Sequence, residues 1–147
     1  MPWIKVWLHF VWSTKERYPY LTDEIRLRIL DHIRENARAK NLHIDFINGW
    51  LDHIHCLISL GSDQTIEEIM KLVKGESSHW INKNKLTPAG FAWQNDYFVA
   101  SVSESNLRKV RKYIAEQEQH HSTVSSTEEF DSFLLRAGFE RHNDVSA

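Results

Sequence analysis

Apolar and polar residues alternate from the start of the chain. Ile4, Val6, Leu8, Phe10 and Trp12 recur at period two, with Lys5 and His9 between them. That is the pattern of a strand over Trp3 to Trp12 with one face buried. A polar connection over 13–21 follows, carrying Lys15, Arg17 and Pro19. The period then lengthens to four. Thr22 or Asp23 can cap a helix whose Ile25, Ile29, Ile33 and Ala37 form one stripe, ending near Lys40. Leu42 to Asn48 and Trp50 to Leu60 read as two further strands, with Asn48-Gly49 as the turn between them.

Gly61-Ser62-Asp63 closes that hairpin, and Thr65-Ile66-Glu67-Glu68 has the spacing of a capping box. The helix it starts presents Ile66, Ile69, Met70, Val73, Ser77, Trp80 and Ile81 on one face, and Thr87-Pro88-Ala89-Gly90 ends the region. Tyr97 to Val102 is a fourth strand. Ser103 or Ser105 can cap a helix from about Asn106 to His121, with Leu107, Val110, Ile114 and His121 facing inward. A polar linker, Ser122 to Ser126, leads to an amphipathic helix over about Glu128–Ala137 that Gly138 stops. This order predicts an α+β fold: an antiparallel sheet of about four strands, helices packed on one face, and ferredoxin-like connectivity.

Composition adds limits more than detail. A chain of 147 residues fits one domain. We expect a body over 1–121 and an acidic helical tail over 122–147. No apolar run approaches the ~20 residues a membrane helix needs, and Met1 to Lys5 lacks the features of a signal peptide. The single cysteine, Cys56, excludes an internal disulfide framework and fits a reducing cytoplasm, the expected location.

The net charge of −2 argues against a nucleic-acid partner until its distribution is seen. Residues 1–115 hold 16 Lys and Arg against 13 Asp and Glu, whereas 116–147 hold 2 against 7. A basic body can offer a positive groove despite an acidic tail. Lys74, His79, Lys83 and Lys85 lie on or after the second helix, while Arg108, Lys109, Arg111 and Lys112 crowd the start of the third. With Lys15 and Arg17 these are candidate phosphate contacts; a solvated basic face explains them equally well. Trp50, Trp93, Tyr97 and Phe98 could stack on bases, although at least two of them are expected in the core.

The sharpest chemical feature is Asp52-His53-Ile54-His55. Strand alternation puts His53 and His55 on one face, their Cα atoms ~7 Å apart, so both imidazoles can reach one metal ion. Two histidines bonded to neighbours would look the same, and the pair needs a third ligand. Cys56 points the other way and cannot supply it, while Leu57 rules out a continued histidine run. Tyr113 and Gln117 are four residues apart, stacked at the flank of the Leu107, Val110, Ile114 stripe with His120 near the same edge. From spacing alone they are equally a rim aromatic and a solvated amide.

A resemblance gives these residues a context. The chain is similar over roughly 7–121 to the single-tyrosine HUH transposases of bacterial insertion sequences, including relatives associated with repetitive extragenic palindromes. The matching blocks are His9-Phe10-Val11-Trp12-Ser13-Thr14-Lys15, Asp52-His53-Ile54-His55, Lys74-Gly75-Glu76-Ser77-Ser78, Trp93-Gln94 with Tyr97, and Tyr113-Ile114-Ala115-Glu116-Gln117. Residue 96, usually glycine in such proteins, is Asp96 here.

The resemblance implies that His53, His55 and Gln117 bind Mg²⁺ or Mn²⁺ and that Tyr113 is the nucleophile. It implies cleavage and rejoining of single-stranded DNA through a 5′-phosphotyrosine, on element ends that form hairpins. It also implies a homodimer in which Tyr113 of one chain can serve its partner's histidines. Asp52 is a candidate orienter of the pair, although alternation turns its side chain to the other face. Two rival readings stay open: a single-stranded nucleic-acid-binding protein without catalysis, and a metal-dependent phosphohydrolase using water.

Overall fold

In the computed structural model, which describes residues 2–121, 125–136 and 138, β1 (Trp7–Ser13) runs through the interior of a four-stranded antiparallel sheet. Its neighbours are β3 (His53–Ser59) and β4 (Phe98–Val102), and β2 (His43–Gly49) lies outside β3, giving the order β2-β3-β1-β4. With α1 (Asp23–Ala39) between β1 and β2, this is the expected ferredoxin-like connectivity. Ser122 to Val124 of the linker, Ala137 and the tail after Gly138 lie outside the described residues.

Alternation decides what each sheet face buries. Leu8, Phe10 and Trp12 of β1 and Ile54, Cys56 and Ile58 of β3 point to one side. There they meet Ile29, Ile33 and Ala37 of α1, together with Ile69, Met70, Val73 and Ile81 from the helical stretch after β3. Helices therefore cover this face, as the patterning requires.

Several boundaries differ from the expected ones. β1 begins at Trp7 because β3 and β4 supply partners only from Ser59 and Val102 onward; Trp3 is almost wholly exposed. Gly49 belongs to β2, and the reversal falls on Trp50 to Asp52, closed by the bond from Trp50 N to His53 O. Gly49 is glycine because a Cβ there would meet that same His53 oxygen at 2.5 Å.

The helix started by Thr65, whose side chain accepts from Glu68 N, is not continuous. It runs as α2 (Ile66–Met70), one wide turn (Lys71–Gly75) and α3 (Glu76–Lys83). Across the junction, buried Ser77 donates through Oγ to Val73 O at 2.6 Å and accepts from Trp93 Nε1 at 2.9 Å. The Lys74 ammonium donates to the carbonyls of Gln94, Asn95 and Asp96 at 2.7, 3.0 and 3.3 Å. The Lys74 to Ser78 block and Trp93 thus hold one another, fixing the segment that feeds β4. Asp96, in the same segment, has no left-handed backbone, so a glycine is not required there.

The helix expected over 106–121 is also broken. α4 (Leu107–Ala115) stops at Glu116 (φ −99°, ψ 26°), and a short α5 (Gln117–His120) follows. The last helix, α6 (Ser126–Arg136), ends before Gly138, whose φ of +81° suits a residue without a Cβ.

Candidate metal and nucleophile site

The second face of the sheet carries the chemistry. His9 and Val11 of β1 lie beside Leu57 and His55 of β3, with His53 one step further along. α4 crosses part of this face through Leu107 and Ile114 on Leu57. α6 covers another part through Phe133, which packs with Val11 and Phe98. Between them His53 and His55 are sealed from solvent, at 0 % and 1 % exposure.

Each histidine is oriented through its Nδ1. His53 Nδ1 bonds the Asp52 carboxylate at 2.8 Å, and His55 Nδ1 pairs with His9 Nε2 at 2.9 Å. A carboxylate only accepts, so a neutral His53 that donates from Nδ1 to Asp52 presents its Nε2 lone pair, whereas a cationic His53 donates from Nε2 to Glu129 as well. For His55 to present the same face, its Nδ1 must donate to His9. Fixing the far nitrogen in this way is how metal-binding imidazoles are held.

Asp52 does reach His53, contrary to the expected alternation, because residue 52 lies in the turn and precedes the first strand residue. The rings differ in charge preference. Burial, reinforced by His55, holds His9 well below its usual range. Burial pushes His55 down to about 4 despite its contact with Glu129, with neighbouring His53 adding to the fall. Burial also pulls on His53, but the Asp52 and Glu129 carboxylates outweigh it and raise its pKa.

Tyr113, on α4, comes to the same place. Its ring lies edge-on to His55 at 5.3 Å and to His9 at 6.3 Å, and its hydroxyl donates to Oε1 of Glu129. Burial, followed by the Glu129 carboxylate, raises the phenol above its ordinary range. These contacts join Tyr113 to the histidines of its own chain.

Gln117 is fully buried where α4 breaks. Its Nε2 donates to Tyr113 O at 3.2 Å, and its Oε1 finds no donor among the described residues. A buried amide oxygen without a donor, one helical turn beyond Tyr113, suits a cation ligand.

Three contributors were not legible as such. Glu129, from the acidic tail, places Oε2 3.0 Å from His53 Nε2 and Oε1 2.6 Å from His55 Nε2, and could join the histidines on a metal. His121, expected in the apolar core, instead reaches the Glu129 carboxylate and stacks on Trp50. His9 was visible as a polar position on β1 and as the first residue of a matching block, with no role attached. Period two shows which face a residue occupies, but the strand register was needed to join His9 to His55, and no local spacing links Glu129 to either. His120 lies 5.2 Å from the Tyr113 ring, at the edge foreseen for it.

The candidate DNA contacts divide. Lys15, Lys83, Arg108, Lys109 and Lys112 are exposed. Arg111 pairs with Asp45 at 2.7 Å and lies over Trp7. Arg17 is half-buried near Asp52 and Asp131, and Lys74 is engaged by its three carbonyls. Lys109 lines a cavity of about 390 Å³ with Tyr113, Asn106 and Arg136. Of the aromatics, Trp93 is in the core, while Trp50, Tyr97 and Phe98 are half-buried against neighbours.

An antiparallel sheet presenting a histidine pair to a tyrosine on an adjacent helix defines a class, and comparison with known proteins gives the family. The family described as "Transposase IS200 like" matches residues 3–117. The chain belongs to it. It is 30% identical over 115 residues to the ISDra2 transposase TnpA of Deinococcus radiodurans, covering 74% of this chain and 81% of that one. Among solved structures it is similar to a putative transposase from Deinococcus radiodurans, with TM-score 0.64 and 26% identity over 79% of this chain and 93% of the other. The fold is also shared with a REP-associated tyrosine transposase bound to a REP hairpin: TM-score 0.62, 19% identity, 84% and 73% coverage.

Proposed function

We propose that this transposase cuts and rejoins single-stranded DNA through Tyr113, with a divalent cation, Mg²⁺ or Mn²⁺, held by His53, His55 and Gln117. The observation that carries the reading is the convergence of the two Nε2 atoms and the Tyr113 hydroxyl on a single carboxylate, Glu129. Groups that meet on one small anion also stand within reach of one phosphate. When bound, the cation would draw charge from the scissile phosphate.

Everything else falls to the chain. Tyr113 Oη forms a bond to phosphorus as the bond from phosphorus to the 3′ oxygen breaks, and the tyrosine proton ends on that oxygen. One phosphodiester replaces another, so rejoining is the same exchange in reverse and requires no nucleotide triphosphate. The half-buried phenol is a poor nucleophile at rest, which keeps the step dependent on substrate and cation. Exposed Lys109 and Lys112, one turn from or next to Tyr113, are placed to hold the flanking backbone, and Lys15, Lys83 and Arg108 extend the basic surface.

The relative solved with a REP hairpin favours hairpin-forming element ends as substrate. A homodimer fits the same family, and the contact of Tyr113 with the His55 ring within one chain is compatible with cleavage in cis. End-labelled single-stranded DNA and Mn²⁺ should give a covalent adduct on a denaturing gel, absent in Tyr113→Phe and in His53→Ala. Cleavage surviving in Tyr113→Phe would instead identify a hydrolase using water. Binding without cleavage in the unaltered protein would identify a binding-only descendant.

A further inference from the structure

We infer that Glu129 is a ligand of the same cation, so that cation binding fastens the C-terminal helix α6 onto the sheet. The inference rests on the metal reading above and extends it to a part of the chain beyond the matched family region, which ends at residue 117.

The first argument is convergence. With His53 Nδ1 held by Asp52 and His55 Nδ1 by His9, both Nε2 atoms turn to one carboxylate, Glu129 Oε2 lying 3.0 Å from the first and Oε1 2.6 Å from the second. One ligand atom from each of the three residues lies within 4.8 Å of the others. Such contacts need positive charge, which ring protons supply and a cation supplies in their place when it binds.

The second argument is spacing. Ligand atoms about 2.1 Å from a metal and at right angles to each other are about 3.0 Å apart. The 3.0 Å contact equals that edge length, and the 2.6 Å contact reaches it by opening about 0.4 Å. His121 Nε2 meets the same carboxylate and adds a third imidazole at the margin.

The third is what holds α6. Among the described side chains of α6, Phe133 is buried, Leu134 is half-buried and Leu135 is 69% exposed. Glu129 is 1% exposed. This carboxylate is taken out of water against three imidazoles and the Tyr113 hydroxyl, and a divalent cation among the same groups would offset its charge more strongly than ring protons do. Docking of α6 and filling of the site should therefore be one linked equilibrium.

The test uses the full chain and Mn²⁺ alone. Mn²⁺ affinity, from the electron-spin signal of the free ion, should weaken at least tenfold in Glu129→Gln and be unchanged in Glu128→Gln, its exposed neighbour. Amide exchange over 126–136 should slow at least tenfold when Mn²⁺ saturates the unaltered protein, and should not respond in Glu129→Gln. Unchanged affinity in Glu129→Gln, or a helix whose exchange quickens when Mn²⁺ is added, overturns the inference while leaving the metal reading intact. If the unaltered protein binds no more Mn²⁺ than His53→Ala does, the metal reading falls and takes the inference with it.

Discussion

Replacing His9 with phenylalanine removes a single nitrogen contact on which the geometry of His55 depends. His9 is 5% exposed and His55 1%, so water cannot restore the 2.9 Å bond between His9 Nε2 and His55 Nδ1. A buried N–H left without an acceptor costs about 1–3 kcal/mol. With a urea slope of ~2 kcal/mol/M, the unfolding midpoint should fall by roughly 0.5–1.5 M. The effect on the site should be sharper than that on stability. Without His9 the proton of His55 is free to move to Nε2, where it occupies the lone pair the cation needs. Loss of such an outer partner typically weakens metal affinity ~10–100-fold. His9→Gln, whose amide oxygen can still accept from Nδ1, should recover most of that loss. Titration with Mn²⁺, followed by the free-ion signal, measures both variants. A folded His9→Phe protein that binds Mn²⁺ within twofold of the unaltered chain would refute the reasoning.

Three further outcomes follow from the packing. In Gly49→Ala the new Cβ would sit 2.5 Å from His53 O, inside the 3.0 Å that real contacts essentially never breach, so the turn must yield by about half an ångström. We expect a cost of ~1–3 kcal/mol in urea unfolding and weaker Mn²⁺ binding, because ligand positions tolerate only about 0.2 Å. Trp12→Phe and Trp93→Phe should differ: Trp12 Nε1 is buried without an acceptor among the described residues, whereas Trp93 Nε1 donates to Ser77 Oγ. The first should cost under about 1.5 kcal/mol and the second about 1 kcal/mol more, the excess being the lost bond to a hydroxyl that still donates to Val73 O; equal midpoints would count against the pairing. Cys56 is wholly buried and burial pushes its thiol far up, so a thiol reagent at pH 8 should label it only after denaturant is added.

Where the sequence was legible, the period of the pattern and the structure of the site coincide. Leu8, Phe10 and Trp12 alternate because one face of β1 is buried, and that alternation also sends His9 to the other face. His53 and His55 could be placed side by side for the same reason. Local chemistry located the Thr65 cap and the Gly138 stop. What escaped depends on partners distant in the chain. The wide turn over 71–75 is tied to Trp93 through Ser77, and the break at Glu116 accompanies burial of Gln117, neither of which helical periodicity can register. Asp52 was misplaced because a strand rule was applied to a turn residue. Glu129 was hidden most completely: it reads as one more acidic position on a solvated helix, and only the folded chain sets it against imidazoles more than seventy residues away.

The central claim is that Tyr113 makes the covalent bond to DNA. Single-stranded DNA containing a hairpin end should be incubated with the protein and Mn²⁺, digested with protease and nuclease, and the phosphonucleotide-bearing peptide sequenced by mass spectrometry. The account predicts a nucleotide attached through its 5′ phosphate to Tyr113, lost when His55 is changed to alanine. A nucleotide on Tyr18, Tyr20 or Tyr97, or cleaved DNA with no modified tyrosine, would contradict it.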